Sequence, residues 1–334
     1  MKILGIETSC DETAIAVAVD KKHLLSNIIV SSLHLHKRYG GVVPEIACRH
    51  HTELINIILD KALKKAKVSL GDIDAVSVTR GPGLVGSLLV GISLAKALSY
   101  SLKIPIIAIN HLHAHLYSPF MNEDEVKLPA VGLIVSGGHS SLVYIKDIEK
   151  IELLGQTRDD ACGEAFDKVA KILDLGFPGG PVIEKTARKG NPEKIEFPRT
   201  YLKKGSLDFS FSGIKTAVLY YVDGLKKKKE RVNIPDVCAG FQAACFDMLL
   251  KKTEDAIIRK RPKSIVIGGG VSANSLLRQR LKGLADSLGV DIFFPPKGMH
   301  TDNAGMVAAL GAYLYQRGKA TRENFSAEAG LNFN

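Results

Sequence analysis

The sequence predicts an α/β protein built from two lobes of comparable size. Its 334 residues exceed what one core comfortably holds, since domains usually contain about 100–200 residues. Short apolar strands alternate with helical stretches, a pattern typical of α/β folds. A strand–polar turn–strand segment at the N-terminus also recurs after residue 130, which divides the chain into two halves.

These two hairpins begin each predicted lobe. The first joins an apolar strand, Ile3, Leu4 and Ile6, to Ala14–Val19 through the polar turn Thr8–Thr13. The second joins Val131–Val135 to Ser141–Ile145 through the turn Ser136–Ser140.

Further elements follow from apolar periodicity and capping residues. The predicted helices are His50–Lys67, Leu84–Leu102, Gly163–Leu175, Asp236–Arg259, Ser275–Leu288 and Ala304–Arg317. The predicted strands are Ala75–Val78, Ile104–Ile109 and Ser264–Ile267. Asn274 is expected to cap the helix that follows it, and Asn110 a helix after the strand ending at Ile109.

Composition favours a soluble, cytoplasmic protein without membrane contact. The five cysteines lack CxxC spacing, which fits a reduced compartment, and acidic residues enter the N-terminus too early for a targeting peptide. The most apolar stretch, Leu84–Ile109, is interrupted by glycine, lysine and proline, so it predicts a buried helix followed by a strand. The net charge of +10 fits a polyanionic partner, and fits equally well a lysine-rich surface that only aids solubility.

The strongest local chemical signal is Asn110-His111-Leu112-His113-Ala114-His115. On a helix, residues four apart share a face, so His111 and His115 can bind one metal ion, whereas His113 points away. Leu112 stands where a zinc protease of the HExxH type carries its catalytic glutamate. The alternative is three histidines on an amphipathic helix with no metal.

A third ligand must come from elsewhere, and Asp302 is the best carboxylate candidate, with His300 as a competitor. Two histidines and one carboxylate leave coordination positions open for substrate and suit Fe(II) or Zn(II). Local sequence alone favours another role for Asp302, the N-cap of the helix that follows.

Three loops carry further candidate chemistry. Glycines in Ser136-Gly137-Gly138 let backbone N–H groups approach an anion, although most such glycine pairs merely form turns. In the first hairpin, Asp11 and Glu12 are candidate general bases or simply exposed turn acids. Gly268-Gly269-Gly270 joins a strand to a helix without a GxGxxG pattern, which indicates a mononucleotide or adenylate site, not a dinucleotide site.

Taken together, these segments resemble the TsaD family of tRNA threonylcarbamoyladenosine synthases, in its bacterial form. The resemblance rests on motifs in the correct order between about residues 3 and 310, although bacterial relatives often carry an acid where His113 stands. The matching motifs are IETSCDET, GGVVPEIACRHH (Gly40–His51, a loop in this interpretation), RGPGLVGSLLVG, NHLHAH, VSGGH, GEAFDKVAKILDLGFPGGP, FSFSGIKTA, GGGVSANSLLR and TDNAGMVA.

The resemblance implies a two-lobed fold of the actin, Hsp70 and sugar-kinase (ASKHA) type with a central cleft. It implies lobes of residues 1–125 with about 297–334, and 126–296. It also implies that His111, His115 and Asp302 hold one divalent metal, Fe(II) before Zn(II). The positions that match the family's substrate contacts are Ile134, Val135, Ser136, Gly137, Gly138, Asp167, Gly180 and Asn274.

The implied reaction transfers a threonylcarbamoyl group from threonylcarbamoyl-AMP to N6 of adenosine 37 in tRNAs reading ANN codons. Asp11 or Glu12 would accept the amine proton. The implied partners are a TsaB-like paralogue, a TsaE-like ATPase and an upstream TsaC-like enzyme. Three rivals remain at this stage: a kinase or ATPase of the same fold, a metalloprotease, and an inactive scaffold that holds a nucleotide and partners.

Overall fold

Two five-stranded sheets form the framework of the protein, whose computed structural model describes residues 1–122, 124–203, 205–321 and 324–333. The strands are β1 (Ile3–Glu7), β2 (Glu12–Ala18), β3 (Leu24–Ser31), β4 (Ala75–Gly81), β5 (Ile106–Asn110), β6 (Ala130–Val135), β7 (Ser140–Asp147), β8 (Lys150–Gln156), β9 (Ser264–Gly268) and β10 (Asp291–Phe293). The α-helices are α1 (Leu33–His36), α2 (Pro44–Ala66), α3 (Val85–Leu102), α4 (His111–Tyr117), α5 (Cys162–Ile172), α6 (Gly179–Ala187), α7 (Ser212–Lys227), α8 (Ile234–Lys260), α9 (Ser275–Leu288) and α10 (Ala304–Gln316).

The chain divides into two units, each with one of the sheets. Unit 1 comprises Met1–Glu125 with Pro295–Asn334, and unit 2 comprises Val126–Phe294. The strand order is β3-β2-β1-β4-β5 in unit 1 and β10-β9-β6-β7-β8 in unit 2. In both sheets the first three strands pair antiparallel and the last two add in parallel. The recurrence predicted from the two hairpins is therefore confirmed at the level of topology.

Most predicted elements are confirmed, but several boundaries and elements were wrong or missed. Helix α2 begins at Pro44, inside the stretch expected to be a loop, because proline suits the first helical position. Helix α5 ends at Ile172 and not at Leu175, since Asp174 adopts a left-handed φ of 56°. Strand β5 begins at Ile106 rather than Ile104. The strands β3, β8 and β10 and the helices α1, α6 and α7 were not predicted from the sequence.

The sheet of unit 1 is covered on both faces. Side chains along β2 point alternately to the two faces, and both sets are buried. Ile15 and Val17 point into an apolar core shared with α2 and α3. Ala14 and Ala16 point to the opposite face, where they pack against α10. A Cβ on Gly5 would lie 2.5 Å from the carbonyl oxygen of Ala304, so only glycine permits this approach. Close packing of α10 thus fixes the position of the segment just before it.

One helix of the described chain, α3, is long and apolar enough to cross a membrane by length and composition alone. A single such helix is weak evidence, because core helices share these properties. Leu88, Ile92 and Ala95 of α3 are buried in the core of unit 1, as expected for a core helix.

Candidate functional site

A group of polar side chains lies where three neighbouring strands of unit 1 end. β1, β4 and β5 run parallel, so their carboxyl ends meet at one edge of the sheet. β1 ends at Glu7, and β5 ends at Asn110, directly before α4. The Asn110 side chain accepts hydrogen bonds from the backbone N–H groups of Leu112 (2.9 Å) and His113 (3.4 Å), which confirms the predicted cap. Helix α4 therefore begins with His111 at this edge.

His111, His115 and Asp302 come together at the N-terminus of α4. Asp302 Oδ1 lies 2.9 Å from His115 Nε2 and 3.4 Å from His111 Nε2. One ligand atom from each residue lies within 4.8 Å of the others, so the three could hold a metal ion. Both histidines are buried, and two imidazoles with one carboxylate match a site that keeps coordination positions open.

Asp302 does not cap α10, so the interpretation favoured by local sequence was wrong. Asn303 takes that role, and its side-chain oxygen accepts a hydrogen bond from the Met306 backbone N–H at 3.0 Å. The Asp302 carboxylate is thereby left to face the two imidazoles. His300, the competing candidate, is not part of this group.

His113 points away from the metal ligands, as helical geometry predicts. Its Nε2 lies 3.3 Å from the Phe333 carbonyl oxygen, and its ring stacks on that of Phe333 at a centroid distance of 5.9 Å. The Asn110 side chain also donates to the carbonyl oxygen of Asn332 at 2.7 Å. The last described residues thus contact the side of α4 that faces away from the metal ligands, a contact that no local pattern predicts.

Glu7 also belongs to this group of side chains, although it was not among the site residues predicted from the sequence. Its Oε2 lies 3.0 Å from His111 Nδ1 and accepts a hydrogen bond from the Thr79 hydroxyl at 2.6 Å. Its Oε1 accepts from the Ser9 backbone N–H at 2.6 Å. A glutamate ending a fully buried strand was the available signal, because a buried carboxylate requires partners.

The charged side chains of this group shift the pKa values of their neighbours. Burial by itself would lower the pKa of His111, but the adjacent Asp302 and Glu7 carboxylates outweigh burial and hold that pKa well above its ordinary value. Burial would raise the pKa of Asp302, yet His111 and His115 hold it well below its usual range. Two carboxylates around the imidazoles thus form a locally anionic pocket, which attracts a cation.

Of the two candidate bases, Asp11 lies in the turn between β1 and β2, and Glu12 is the first residue of β2. Asp11 Oδ2 accepts a hydrogen bond from the Ser31 hydroxyl at 3.2 Å. Burial raises the pKa of Glu12 to about 10, with further contributions from Asp302 and Asp11. The raised pKa favours the protonated form of Glu12 at neutral pH.

This elevated pKa predicts a pH-dependent effect of Glu12→Gln. An acid whose pKa is raised on folding contributes nothing to stability while it is protonated in both states. The unfolded state loses this proton first, so the cost to folding grows as pH rises from the unfolded pKa of 4.5 towards about 10. At pH 8, Glu12→Gln is expected to stabilise the metal-free protein by about 1–3 kcal/mol. Urea unfolding at pH 5 and pH 8 measures this gain in unfolding free energy, which should nearly vanish at pH 5. An equal gain at both pH values would refute the raised pKa of Glu12.

In unit 2, the turn between β6 and β7 forms an open glycine loop. The Ser136 backbone N–H donates to the His139 carbonyl at 2.8 Å, and the His139 N–H donates to the Ser136 hydroxyl at 3.1 Å. No described atom lies within 4 Å of where a Cβ on Gly137 or Gly138 would stand. A Cβ on Gly163, in α5, would lie 2.6 Å from the Ser136 carbonyl oxygen, so α5 supports the loop from behind.

The other predicted substrate positions lie on α5, at the start of α6, directly before α9 and at the end of β6. Asp167 Oδ1 accepts a hydrogen bond from the Gly179 N–H at 2.6 Å, next to Gly180 at the start of α6. Gly269, with φ of 87°, lies against the carbonyl oxygen of Val135. Beyond Gly269, Asn274 caps α9, as predicted from the sequence. Ile134 and Val135 themselves form the buried end of β6.

A cavity of about 500 Å³ lies between α6, α8 and α9 of unit 2. Glu184 of α6 accepts hydrogen bonds from the backbone N–H (3.0 Å) and hydroxyl (2.5 Å) of Ser275, which ties α6 to α9. Asn274, adjacent to this pair, donates to Gln242 of α8 at 2.9 Å. This cavity was not predicted from the sequence. It is lined by Glu184, Ala187, Arg188, Pro192, Ala239, Gln242, Ala243, Ser275, Leu276, Gln279 and Arg280.

Solved structures define the class of fold. Full-length HypF matches 94% of this chain with a TM-score of 0.63 and 14% identity, over 56% of its own length. Component A of (R)-2-hydroxyglutaryl-CoA dehydratase from Acidaminococcus fermentans matches 95% of this chain, over 98% of its own length, with a TM-score of 0.56 and 15% identity. A ROK hexokinase from Thermus thermophilus matches 96%, over 100% of its own length, with a TM-score of 0.50 and 15% identity. The protein therefore has the two-lobed α/β fold of the actin and sugar-kinase class.

Sequence relatives define the family within that class. The sequence model of TsaD, tRNA N6-adenosine threonylcarbamoyltransferase, matches residues 23–309. The enzyme of that name from Desulfitobacterium hafniense is 49% identical over 332 residues, which cover 99% of this chain and 97% of the relative. That from Moorella thermoacetica is 50% identical over 315 residues, or 94% and 92% of the two chains. This chain belongs to the TsaD family of tRNA N6-adenosine threonylcarbamoyltransferases.

Proposed function

We propose that this chain transfers the threonylcarbamoyl group of threonylcarbamoyl-AMP to N6 of adenosine 37 in ANN-decoding tRNAs and releases AMP. Membership of the TsaD family supports the reaction class. The observation that carries the proposal is the group of His111, His115 and Asp302, because it offers a metal three ligands and leaves positions for substrate oxygen.

His111 Nε2, His115 Nε2 and Asp302 Oδ1 would hold one divalent ion, for which Fe(II) is the first choice and Zn(II) the second. Such an ion, when bound, polarises a carbonyl oxygen and orients the group that carries it. Both imidazoles are buried, and the Asp302 side chain is 19% exposed. His113, turned towards Phe333, takes no part in holding the ion.

Unit 2 would bind the adenylate portion of the donor. The open backbone of Ser136, Gly137 and Gly138 suits an anionic phosphate, since no Cβ blocks approach to the N–H groups. Asp167 of α5, Gly180 of α6 and Asn274 before α9 would contact the nucleoside, and Ile134 and Val135 end the strand that leads into the loop. The cavity between α6, α8 and α9 provides apolar and polar walls for a base.

The attacking N6 amine must lose a proton, and Asp11 or Glu12 would take it. Burial, the leading cause of the raised pKa of Glu12, favours its protonated form, so Asp11 would act as the acceptor and Glu12 as a hydrogen-bond donor. This assignment separates the two acids experimentally: Glu12→Gln should keep more transfer activity than Asp11→Asn.

The proposed reaction and the surface of this protein both indicate which molecules would bind it. The net charge of +10 suits the phosphates of tRNA, and unpaired anticodon-loop bases are accessible to protein side chains. Val85, Leu89 and Tyr100 are exposed on α3 and give a TsaB-like paralogue an apolar surface. A TsaE-like ATPase and a TsaC-like source of the adenylate would complete a cytoplasmic pathway.

The rival activities fit the site less well. A kinase or ATPase of the same fold would leave the pairing of two histidines with Asp302 unexplained. A metalloprotease requires a glutamate beside the metal to activate water, and Leu112 in that position is buried and apolar. An inactive scaffold predicts that His111→Ala leaves the modification of tRNA unchanged.

A reconstituted reaction tests the proposal. The chain, loaded with Fe(II) or Zn(II), is incubated with its partner proteins, threonine, bicarbonate, ATP and an ANN-decoding tRNA, and the nucleosides are analysed by mass spectrometry. We expect threonylcarbamoyladenosine with the native chain, and at most about 1% of it with His115→Ala, because loss of the metal removes both positioning and carbonyl polarisation. A tRNA whose adenosine 37 is replaced by guanosine is the control. No product from a competent mixture would contradict the proposal.

A further inference from the structure

Glu7 is fully buried at the end of β1, with both of its carboxylate oxygens bonded. Oε1 accepts from the Ser9 backbone N–H, and Oε2 accepts from the Thr79 hydroxyl, each at 2.6 Å. A buried carboxylate is costly unless it is paired, so these bonds fix one orientation of the side chain. That orientation points Oε2 at His111 Nδ1, 3.0 Å away.

The contact decides which nitrogen of His111 keeps its proton when an ion binds. A carboxylate can only accept, so Nδ1 donates to Glu7, and Nε2 is the nitrogen that would give up its proton to bind the ion. Nε2 is the atom that faces Asp302 Oδ1. The Ser9 hydroxyl, 3.2 Å from the same Nδ1, can donate or accept and does not impose a tautomer.

The second histidine lacks this support. His115 Nδ1 is buried and has no hydrogen-bond partner among the described residues. Its Nε2 faces Asp302 Oδ1 just as that of His111 does. The two imidazoles therefore differ in the partner of their Nδ1 atoms, although their Nε2 atoms face the same carboxylate.

We infer that Glu7 is a positioning residue, which sets the tautomer and orientation of His111 so that its Nε2 binds the ion, while His115 binds without such a partner. The inference rests on the metal site of the proposed function. A carboxylate behind a metal-binding imidazole also makes the ring a stronger ligand, and loss of such partners lowers metal affinity about 10–100-fold. His111 would then be the stronger histidine ligand.

Titration of the metal-free chain with Co(II), followed by its visible absorption, measures the role of Glu7 without the reaction. Glu7→Gln is expected to lower affinity for Co(II) by about 10–100-fold. Ser9→Ala, which keeps the backbone N–H bond to Glu7, is the matched control and should change affinity less than about threefold, well below that outer-shell range. Equal affinities of the native chain and Glu7→Gln would overturn the inference.

A double-mutant cycle tests whether Glu7 acts through His111. The loss caused by Glu7→Gln should persist in a His115→Ala background and disappear in a His111→Ala background. An undiminished loss in His111→Ala would mean that Glu7 acts on the fold and not on the ligand. Native chain that binds no Co(II) would instead refute the metal site of the proposed function, so the two failures are distinguishable.

A measurement on the native chain avoids the possibility that Glu7→Gln fails to fold. In the zinc-loaded protein, long-range ¹H–¹⁵N correlations should show a proton on His111 Nδ1 and none on Nε2. The Nδ1 proton should exchange with water more slowly than that of His115, which has no carboxylate behind it. A metal bound to His111 Nδ1, with the proton on Nε2, would overturn the inference.

Discussion

His115→Ala is expected to lower metal affinity by more than about 100-fold, the upper limit for changes outside the ligand set. Its Nε2 lies 2.9 Å from Asp302 Oδ1, and the side chain is 1% exposed, so neither water nor another side chain can easily replace it. Metal content after gel filtration and affinity by competition with a chelator measure the effect. His111→Ala and Asp302→Ala should lose the ion in the same way.

His113→Ala is the matched control for this series. It removes an imidazole from the same helix, but one that faces Phe333. We expect metal content to stay at the native level and the unfolding free energy to fall by about 1 kcal/mol, the cost of one stacking contact and one hydrogen bond. Loss of the ion with His113→Ala and its retention with His115→Ala would contradict the site.

Gly163→Ala is expected to damage both the stability of unit 2 and its binding of nucleotide. Its Cβ would lie 2.6 Å from the Ser136 carbonyl oxygen and 2.8 Å from Gly137 Cα, so the loop must move. Overpacking of this kind typically costs about 1–3 kcal/mol. Urea unfolding should show this loss, and calorimetry with AMP should show affinity reduced at least about tenfold, equivalent to about 1.4 kcal/mol.

Gly137→Ala separates the two effects, because its Cβ would meet no described atom within 4 Å. The unfolding free energy should change by less than about 0.5 kcal/mol, as for an unconstrained surface position. Affinity for AMP should still fall, since the new methyl occupies space that a phosphate needs beside the backbone N–H groups. Unchanged AMP affinity in both variants would show that the loop does not bind the phosphate.

The hairpins and core helices were predictable because their signals are local. Alternating apolar residues around a polar turn specify β1–β2 and β6–β7, and asparagines before apolar runs specify the starts of α4 and α9. The edge strands β3 and β8 were missed because their polar and apolar residues mix without clear alternation. Pro44 was interpreted as part of a loop although it suits the first turn of a helix, so α2 was predicted too short.

The candidate site was only partly predictable, for a similar reason. His111 and His115 share a helix face at a spacing visible in the sequence. Asp302 is distant in sequence, and local reasoning preferred it as a cap. Packing of α10 against Ala14 and Ala16 of β2 brings its N-terminus to the histidines, and no local pattern reports that packing.

Residues that act through long-range contacts were even harder to predict from the sequence. Glu7 reaches His111 because β1 lies in one sheet with β5, joined through β4. Phe333 reaches His113 from the far end of the chain. The cavity of unit 2 is formed by three helices whose facing residues are unremarkable in each separate sequence. Such features require the pairing of strands and helices to be known first.

An anomalous diffraction map of the metal-loaded protein, collected at the absorption edge of the bound ion, tests the central assignment most directly. We expect a single strong peak about 2.0–2.2 Å from His111 Nε2, His115 Nε2 and an Asp302 carboxylate oxygen, the usual distances for imidazole and carboxylate ligands. A fully loaded crystal with its peak elsewhere, or with Asp302 turned away from the ion, would contradict the account.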